Sequence, residues 1–451
     1  MTAQAFLDAC GWVPTTGGTG TWTVSAAIQG YQTLADAATA AGMASGTPVS
    51  YRAESADKSE WENGYGATGS ANTTLARTVT TSSNAGAAVN FSAAPNVFIT
   101  ALSQDLTFKA SGTGAVTRMF GAKLADFISV LDFGADLTGT TDSTTAIQNA
   151  INSLSSGGLL YFPPGTYKIS SALTISTQGI SLVGSGRLSS VIKTTSTTAN
   201  ILTVSASYVR IDSIGLVGLT GQVQTAGIAV SLSGSQGSQI TNTYISDVFR
   251  GIQLSDSTNC LVKFNKLVNI YGSYGINTTA GGGDYIEDNQ LDPVFYVSYT
   301  MSSGFNAWAT STAYSLNDVV SVNGGLFGVA VAGTSASSGT GPAITAFNTQ
   351  ITDGTVKWLF LGASNSTGIL VNGTSNSNFI CSNDISGPWA GGLKISGSDG
   401  NIVEGNTIGQ IIGTCIDLGS TATNTLVAGN VISGAYGALS AAIEDGNGSA
   451  T

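Results

Sequence analysis

One feature constrains the fold of this chain more than any other: an asparagine that recurs every 23 or 24 residues. Successive steps are 23, 24, 94, 23 and 24 residues, and the long step equals an ordinary one plus roughly 70 inserted residues. The recurring residues are Asn242, Asn265, Asn289, Asn383, Asn406 and Asn430. A Gly-Ile or Gly-Leu pair keeps the same period, beginning at Gly227, Gly251, Gly275, Gly368 and Gly392. A fixed period of this length is typical of a solenoid, a propeller or an array.

The pattern inside each repeat favours a parallel β-helix. Small or polar residues alternate with apolar ones, which is the signature of short strands, and no repeat contains a helical stripe. Three short strands and three turns fill 23 or 24 residues. We expect the asparagine at a corner between strands, where it tolerates a left-handed backbone and can hydrogen-bond to its counterpart one coil away. The sequence therefore predicts an all-β fold with a ladder of asparagines.

Composition excludes several classes of function. The net charge is −11, which disfavours nucleic acid and anionic membranes as partners. There is no histidine, which removes Ser-His-Asp and Cys-His catalysis and the commonest metal ligand. We expect no metal and no cofactor. Met1–Gly11 lacks a secretory signal, and no run of 18 apolar residues predicts a membrane span. We interpret the scattered cysteines as unpaired thiols of a protein made in a reducing cytosol: Cys10, Cys260, Cys381 and Cys415.

Residues 1–106 are predicted to form a separate, mostly β region with one short helix over Thr33–Ala41. Within it, the stretch YRAESADKSEWENGYG followed by LARTVTTSSNAGAAVNF resembles a small β domain of phage tail and virion proteins. The resemblance implies attachment to the virion through a tail, baseplate or adaptor protein. An unrelated small β domain is the alternative. Residues 107–129 are predicted to be a connector.

The segment Val130–Ile169 predicts a cap for one end of a coil stack. Asp142 or Ser143 can cap a helix whose apolar face includes Ile147 and Ile151, and a buried strand follows it. The motif DFGADLTGTTDSTTAIQNAI, followed by GGLLYFPPGTYKI, resembles the opening of the pectate-lyase-like right-handed β-helix of phage tailspikes and tail fibres. This resemblance, over residues 130–451, implies a right-handed parallel β-helix with three strands per coil, and a homotrimer. It does not fix an activity, because the same fold carries lyases, hydrolases and proteins without catalysis.

An insert at residues 300–363 interrupts the repeat. Its pattern NAWATSTAYSLNDVVSVNGGLFGVAVAGTS resembles small carbohydrate-binding modules attached to chitinases, in which exposed aromatic rings stack on sugars. Trp308, Tyr314 and Trp358 match the positions of those aromatic residues. The alternative is that the three residues form the insert's own core, because a domain this small needs large side chains simply to fold.

One acidic group was considered for catalysis. Glu287 and Glu404 share a register with one coil between them, and Asp284 and Asp288 lie near Glu287 in sequence. The alternative is an ordinary cross-strand ion pair with Lys263, one coil earlier. The chain has no Gly-His-Gly motif of the polygalacturonases and no Asp cluster like the calcium site of pectate lyases. The catalytic residues therefore stay unassigned, and any enzyme activity would be that of a polysaccharide hydrolase or lyase.

Together these observations predict a phage tail fibre or tailspike that recognises a host surface glycan. It would be made in the host cytoplasm, carried on the virion tail, and would neither bind nucleic acid nor insert into a membrane. A polysaccharide depolymerase on the same β-helix and a purely structural tail component are the alternatives. The chain ends in EDGNGSAT with no recognisable cap, as expected of a protein whose distal C-terminal domain is missing.

Overall fold

The computed structural model describes residues 7, 9–100, 107–111, 113–124, 126–219, 225–292, 305–344, 349–435 and 442–445. The chain divides into two compact units, Met1–Asp126 and Phe127–Thr451. This division falls within the segment predicted as a connector, residues 107–129. The parts of the predicted domains at 1–6, 101–106, 300–304 and 446–451 lie outside the described residues.

The N-terminal unit contains an antiparallel sheet and a short helix. In spatial order, the strands of the sheet are Thr74–Leu75, Trp22–Ala27, Gly11–Pro14, Asn96–Ile99, Pro48–Glu54, Trp61–Ala67 and Thr78–Ser82. The helix Leu34–Ala40 begins after Thr33, whose side chain accepts a hydrogen bond from the Asp36 amide. The strands Thr107–Lys109 and Thr117–Met119 and the helix Phe120–Leu124 follow. The predicted helix and strand content of this region is thus present.

A buried ion pair lies within the N-terminal sheet. The Glu62 carboxylate is 2.5 Å from the Arg77 guanidinium and also accepts hydrogen bonds from the Tyr51 hydroxyl and the Val89 amide. The guanidinium lies 4.2 Å from the centre of the Trp22 ring. A buried charge pair is tolerated when its remaining hydrogen-bonding groups are satisfied, as they are here for the carboxylate.

The cap at the start of the second unit forms as predicted. Ser143 is the N-cap residue of the helix Thr144–Ser153, and its side chain makes no capping hydrogen bond. Asp142, the residue before it, accepts a hydrogen bond from the Thr144 amide at 2.9 Å. Ile147 and Ile151 on the inner face of this helix pack against the end of the β-helix core. A short 3-10 turn, Val130–Phe133, joins the same cluster through Val130.

The second unit is a parallel β-helix, and this confirms the predicted fold class. In the described residues its strands form three parallel sheets, called A, B and C here. The strands of sheet A are Ile128–Ser129, Gly158–Phe162, Ile180–Gly184, Arg210–Asp212, Gln239–Thr241, Leu261–Lys263, Tyr285–Glu287, Phe379–Cys381, Ile402–Glu404 and Leu426–Ala428. The strands of sheet B are Thr138–Asp142, Gly165–Ile169, Ser190–Thr194, Gly215–Val217, Tyr244–Val248, Lys266–Ile270, Gln290–Asp292, Asp384–Ser386, Thr407–Ile411 and Val431–Ala435. The strands of sheet C are Leu173–Ile175, Leu202–Val204, Ile228–Ser233, Arg250–Thr258, Tyr274–Gly282, Thr367–Asn372, Gly391–Ile395, Ile416–Leu418 and Ile443–Asp445.

Side chains alternate between inward and outward directions along each short strand, and the inward ones form the core. The middle residue of the sheet A strands points inward and stacks on its counterpart about 4.8 Å away in the next coil. One such stack consists of Ile240, Val262, Ile286, Ile380 and Val403, all of them buried. Burying each of these side chains contributes roughly 1.5–3 kcal/mol. The flanking residues of the same strands point outward and are free to be polar.

The asparagine ladder forms between sheets A and B. The prediction that Asn242 is its first member is wrong. In Asn383, both the amide N–H and Nδ2 donate to Oδ1 of Asn406, at 3.0 and 2.9 Å. Nδ2 also donates to the Ile286 carbonyl one coil back. The same pattern links Asn265, Asn289, Asn383, Asn406 and Asn430. Thr243, not Asn242, occupies the position before Asn265, because that coil is one residue shorter.

The residue with left-handed backbone angles lies one position before each ladder residue. We expected that conformation at the asparagine itself, and this expectation is wrong. The residues at these positions have φ between 52° and 66°: Asn242, Phe264, Asp288, Ser382, Gly405 and Gly429. The ladder asparagines themselves are not in the left-handed region. Their role is to hydrogen-bond, and the bend is made by whichever residue precedes them.

The insert is a small, mostly antiparallel β domain that packs on the β-helix. Its strands are Phe305–Ala307, Ala313–Tyr314, Val319–Val322, Gly325–Val331, Gly333–Thr334, Ile351–Asp353 and Val356–Ala363. Tyr271 and Ile412 of the β-helix belong to its two apolar clusters, and the Ala363 amide donates to the Tyr271 carbonyl. The repeat continues in register across the insert, since Leu291 pairs with Ile385.

Candidate functional site

Sheet C presents one continuous file of outward side chains, one per coil. The file is in strict register and consists of Thr174, Thr203, Ser231, Gln253, Asn277, Leu370, Lys394, Asp417 and Glu444. Its first six members carry no charge, and its last three are charged. The outer face of sheet C therefore has an uncharged half and a charged half.

A second file, two residues further along each strand, adds more polar groups to the uncharged half. It consists of Ser233, Ser255, Thr279 and Asn372. The two files are linked by hydrogen bonds: Gln253 Nε2 donates to Ser255 Oγ at 2.8 Å, and Asn277 Nδ2 donates to Thr279 Oγ1 at 3.1 Å. The Thr279 hydroxyl in turn donates to Asn372 Oδ1. These contacts fix the directions in which the amides point.

Tyr274 and Arg250 border this face. The Tyr274 hydroxyl donates to Gln253 Oε1 at 2.8 Å. Burial raises the pKa of Tyr274 to about 12, so the hydroxyl keeps its proton and stays a donor at neutral pH. The Arg250 guanidinium lies 5.6 Å from the centre of the Tyr274 ring and donates from Nε to Ser273. The border of the face is therefore held in place by its own contacts.

Asn277 has one atom that its neighbours leave unpaired. The side chain is only 4% exposed, and its Oδ1 has no hydrogen-bond partner among the described residues. Leaving a buried acceptor unsatisfied costs roughly 1–3 kcal/mol, so such atoms are rare in folded proteins. This atom lies on the outward side of its strand, between the inward Ile276 and Thr278.

The charged half carries two acidic residues in register on adjacent coils. Lys394 is 2.5 Å from Asp417, and Asp417 is in register with Glu444 on the next coil. Glu444 accepts a hydrogen bond from the Thr414 hydroxyl at 3.1 Å. The backbones of adjacent coils are about 4.8 Å apart. The Asp417 side chain is turned towards Lys394 and that of Glu444 towards Thr414.

The predicted acidic group on sheet A is mainly an ion-pair site. Lys263 lies 2.7 Å from Glu287 and 3.2 Å from Asp288, as the alternative reading of this group proposed. Glu404 is in the predicted register, two coils from Glu287, with Cys381 between them. This arrangement satisfies Lys263 and gives no separate acid and base.

Asp284 does not belong to that outward group, so this part of the prediction is wrong. Its side chain points into the β-helix, where it accepts hydrogen bonds from the Cys260 amide at 2.8 Å and the Thr278 hydroxyl at 3.2 Å. Burial raises its pKa to about 6. Asn378 and Asn401 occupy the same position in the next two coils, which makes Asp284 a member of a second polar ladder.

The three aromatic residues predicted to bind sugar lie together in the insert, with different exposure. Trp358 is fully buried and Tyr314 nearly so, and their rings meet edge to face at 4.9 Å. Trp308 is only partly buried. The indole N–H groups of Trp308 and Trp358 both donate to Asp353, at 2.7 and 3.2 Å. The burial of Trp358 and Tyr314 fits the alternative that they form the insert's core, and sugar binding by the three residues stays a prediction.

Gly341 covers part of the Trp308 ring. Its φ is 84°, and a Cβ placed there would lie 2.8 Å from the indole Cδ2. The glycine thus allows the backbone to approach the ring closely. Trp308 is the member of the three that still presents surface to solvent.

The polar face of sheet C was missed by the sequence reasoning, although a signal for it was present. Gln253, Asn277, Leu370 and Lys394 each directly follow the Gly-Ile or Gly-Leu pair of their repeat. The position after the pair therefore recurs with the same period and marks the outer face of sheet C. The uncharged amides at this position belong to the outer face of sheet C.

Among the residues that the structure covers, no group of three or more Cys, Asp and Glu side chains could hold a metal ion. No helix in the described ranges is long and apolar enough to cross a membrane. All four cysteines are free; Cys381 is partly exposed on sheet A and the other three are buried.

The first coils of the β-helix match a known family model. Residues 127–292 match the family model described as rhamnogalacturonase A/epimerase, pectate lyase-like. A search of curated proteins gives no match. The matched segment begins at the predicted cap and ends where the insert begins, so it covers the uninterrupted coils.

Several solved structures resemble the chain at low identity. ORF18 of Geobacillus virus E2 matches at a TM-score of 0.44 and 16% identity, over 76% of this chain and 67% of that one. A double mutant of the tailspike protein of E. coli bacteriophage HK620 matches at 0.45 and 15%, over 76% and 63%. The same tailspike in complex with a pentasaccharide matches at 0.43 and 14%, over 76% and 63%. The chain therefore spans about two thirds of the length of these proteins.

Proposed function

We propose that this protein is a phage tailspike or tail fibre that recognises a host surface glycan along the outer face of sheet C. The observation that carries the proposal is the register of outward side chains on this face. Gln253 and Asn277 stand in one file, with Thr279 and Asn372 beside them. Amide and hydroxyl groups in a row, with no charge among them, suit a ligand that offers many hydroxyls and little charge.

The spacing of the face favours an extended polymer. Equivalent side chains recur about every 4.8 Å along the coil stack, so a linear chain lying along the axis meets the same kind of group repeatedly. Leu370 adds an apolar contact on the coil after Asn277, and the Tyr274 ring borders the file. A saccharide ring has both apolar faces and polar edges, so it can use both kinds of contact.

The remaining parts of the proposal follow from the resemblances in the sequence. The N-terminal region, residues 1–106, attaches the protein to a tail, baseplate or adaptor protein, and three copies form the spike. The protein is made in the host cytoplasm and carried on the virion. The insert adds a weaker sugar contact through Trp308, with Tyr314 and Trp358 behind it. Three such sites on one trimer would raise avidity by about 10²–10⁴ where geometry allows.

Binding to host polysaccharide tests the proposal. Surface polysaccharide purified from the host is titrated against the wild type, Gln253→Ala and Tyr274→Phe, with Gln290→Ala on the exposed side of sheet B as the matched control. We expect wild type and control to bind alike and the two sheet C variants to bind more weakly. Equal binding by all four proteins would show that the glycan binds to another surface. No binding by the wild type would favour a structural tail component.

The carboxylates of the charged half favour a second candidate function, a polysaccharide depolymerase. Asp417 and Glu444 are adjacent in register on the same face that is proposed to bind the glycan. In retaining hydrolysis one such carboxyl attacks the sugar and the other donates a proton. The same incubation is assayed for new reducing ends or unsaturated sugars. Release by wild type that is lost in Glu444→Gln would establish the enzyme; binding without release would favour recognition alone.

A further inference from the structure

Arg250 carries a positive charge that no carboxylate of the described residues neutralises. Acidic residues outnumber basic ones 26 to 15 in this chain, yet within the described ranges none forms an ion pair with Arg250. The nearest carboxylate in the sequence, Asp247, is buried and accepts hydrogen bonds from Asn269 and Tyr271. The Arg250 Nε donates to Ser273 Oγ at 3.2 Å. A guanidinium has five N–H groups, so the four on Nη1 and Nη2 are left for another partner.

The free end of this guanidinium reaches the surface. The Arg250 side chain is half-buried. Among the described residues, the buried polar atoms that lack a hydrogen-bond partner include neither Nη1 nor Nη2 of Arg250. Both nitrogens are therefore in contact with solvent, and a ligand can reach them without any rearrangement of the protein.

Neighbouring groups hold the guanidinium in place. Its central carbon lies 5.0 Å from the centre of the Phe249 ring and 5.6 Å from the centre of the Tyr274 ring. Cations within about 6 Å of a ring centre are attracted to the ring, and the bond to Ser273 adds a third contact. A side chain that is already held loses less conformational entropy on binding than one that rotates freely. Arg250 is therefore prepared for a ligand in advance.

Arg250 lies beside the face that is proposed to bind the glycan. The Tyr274 hydroxyl donates to Gln253, a member of the uncharged file. Arg250 and Gln253 are three residues apart on one strand, which is about 10 Å. The nearest charged member of the file, Lys394, is three coils further on and pairs with Asp417. A ligand bound to Gln253 thus has a positive charge to one side, towards the start of the strand.

We propose that Arg250 forms a subsite for an anionic residue of the host glycan, whose carboxylate or phosphate oxygens accept hydrogen bonds from Nη1 and Nη2. This inference rests on the proposed function and adds the chemical class of the sugar. The planar fork of a guanidinium matches the oxygens of either group and can donate two parallel hydrogen bonds. The uncharged file contacts the neutral part of the polymer. The net charge of −11 does not prevent this, since exposed charges more than about 8 Å away are largely screened at physiological ionic strength.

The test measures binding to the surface polysaccharide of the host and to a panel of purified bacterial polysaccharides. One set in the panel contains uronic acids and no phosphate, a second contains phosphodiesters and no uronic acid, and a third is neutral. Polysaccharides with uronic acids are also used after carboxyl reduction, which turns each carboxylate into a primary alcohol.

The proteins are the full chains of wild type, Arg250→Gln, Arg250→Lys and Lys193→Gln. Lys193 lies on the outer side of sheet B, so Lys193→Gln removes the same charge from a different face and is the matched control. The melting temperature of each protein is measured alongside binding.

We expect wild type and Lys193→Gln to bind an acidic polysaccharide alike, and Arg250→Gln to bind it roughly tenfold or more weakly, because hydrogen bonds to a charged group are lost. Arg250→Lys should fall between them, since it keeps the charge without the fork. A loss of wild-type binding on carboxyl reduction would assign a carboxylate, and wild type and Arg250→Gln should then bind the reduced form equally. Binding confined to the phosphodiester set would assign a phosphate.

The outcomes separate this inference from the function on which it rests. Undiminished binding by Arg250→Gln, or equal binding of neutral and acidic polysaccharides by wild type, overturns the subsite and leaves the proposed function standing. A purely structural Arg250 would also overturn it: Arg250→Gln and Arg250→Lys would then melt at lower temperature and lose binding to native and reduced forms equally. A wild type that binds no polysaccharide, that of the host included, overturns the proposed function and the subsite with it.

Discussion

Replacing Asp284 by asparagine should stabilise the protein at neutral pH. The carboxyl is buried in the second polar ladder, and its pKa is raised from 3.8 to about 6. In the next coil, Asn378 fills the same position and donates from Nδ2 to Asn401 Oδ1 at 2.9 Å. An asparagine at 284 can make the equivalent bond to Asn378, whose Oδ1 already accepts from the backbone amide of residue 284.

The magnitude follows from the shift of the pKa. Two pKa units at 1.36 kcal/mol each give about 3 kcal/mol as the cost of ionising Asp284 in the folded protein. The folded state holds its proton more tightly than the unfolded state does. The contribution of Asp284 to stability is therefore greatest below about pH 4, falls as the pH rises from 4 to 6, and declines no further above that range.

Urea denaturation followed by far-UV circular dichroism, at several pH values between 4 and 8, measures this effect. Asp284→Asn should lack the decline between pH 4 and 6 and should exceed wild type by roughly 3 kcal/mol at pH 7. Asp288→Asn is the matched control, because its carboxylate lies at the surface beside Lys263 and should gain nothing. A variant that is less stable than wild type at pH 7, or that keeps the decline, would refute the account of a desolvated carboxyl.

Further predictions concern the ladder, the two units and the insert. Asn406→Ala should lower the free energy of unfolding by roughly 1–3 kcal/mol, because groups on both neighbouring coils lose their hydrogen-bond partner. Asn242→Gly, outside the ladder, should be nearly neutral in the same denaturation assay. A chain beginning at Phe127 should unfold cooperatively yet fail to assemble onto phage tails, and normal assembly would contradict the anchoring role of the N-terminal region. Trp358→Ala should destabilise the insert by about 3–5 kcal/mol. Trp308→Ala should cost less stability and weaken adsorption to host cells; unchanged adsorption would show that the insert takes no part in binding.

The coils could be predicted because their constraint is local and repeated. A strand of three residues with one inward side chain, a bend and a ladder position recur at nearly constant spacing, and the spacing survives the insert. The error at Asn242 has a physical cause: coils differ in length by one residue. Thr243 donates the ladder's hydrogen bond to Asn265 Oδ1 from its hydroxyl, at the position where other coils have asparagine. Spacing alone does not distinguish these two neighbours.

The candidate site was harder to predict, because it depends on how deeply each side chain is buried and on the direction in which that side chain points. Asp284 and Glu287 are three residues apart, yet one points into the core and the other to solvent. Trp308 and Trp358 look alike in sequence, and only the packing of the insert separates them. No pattern of residue types carries that information.

The most direct test of the central claim is the structure of the protein in complex with the polysaccharide that it binds. The account predicts saccharide density along the outer face of sheet C, with hydroxyls within hydrogen-bonding distance of Gln253 and a sugar ring near Tyr274. Density on the insert around Trp308 alone, or along sheet A beside Lys263 and Glu287, with an empty sheet C, would contradict it.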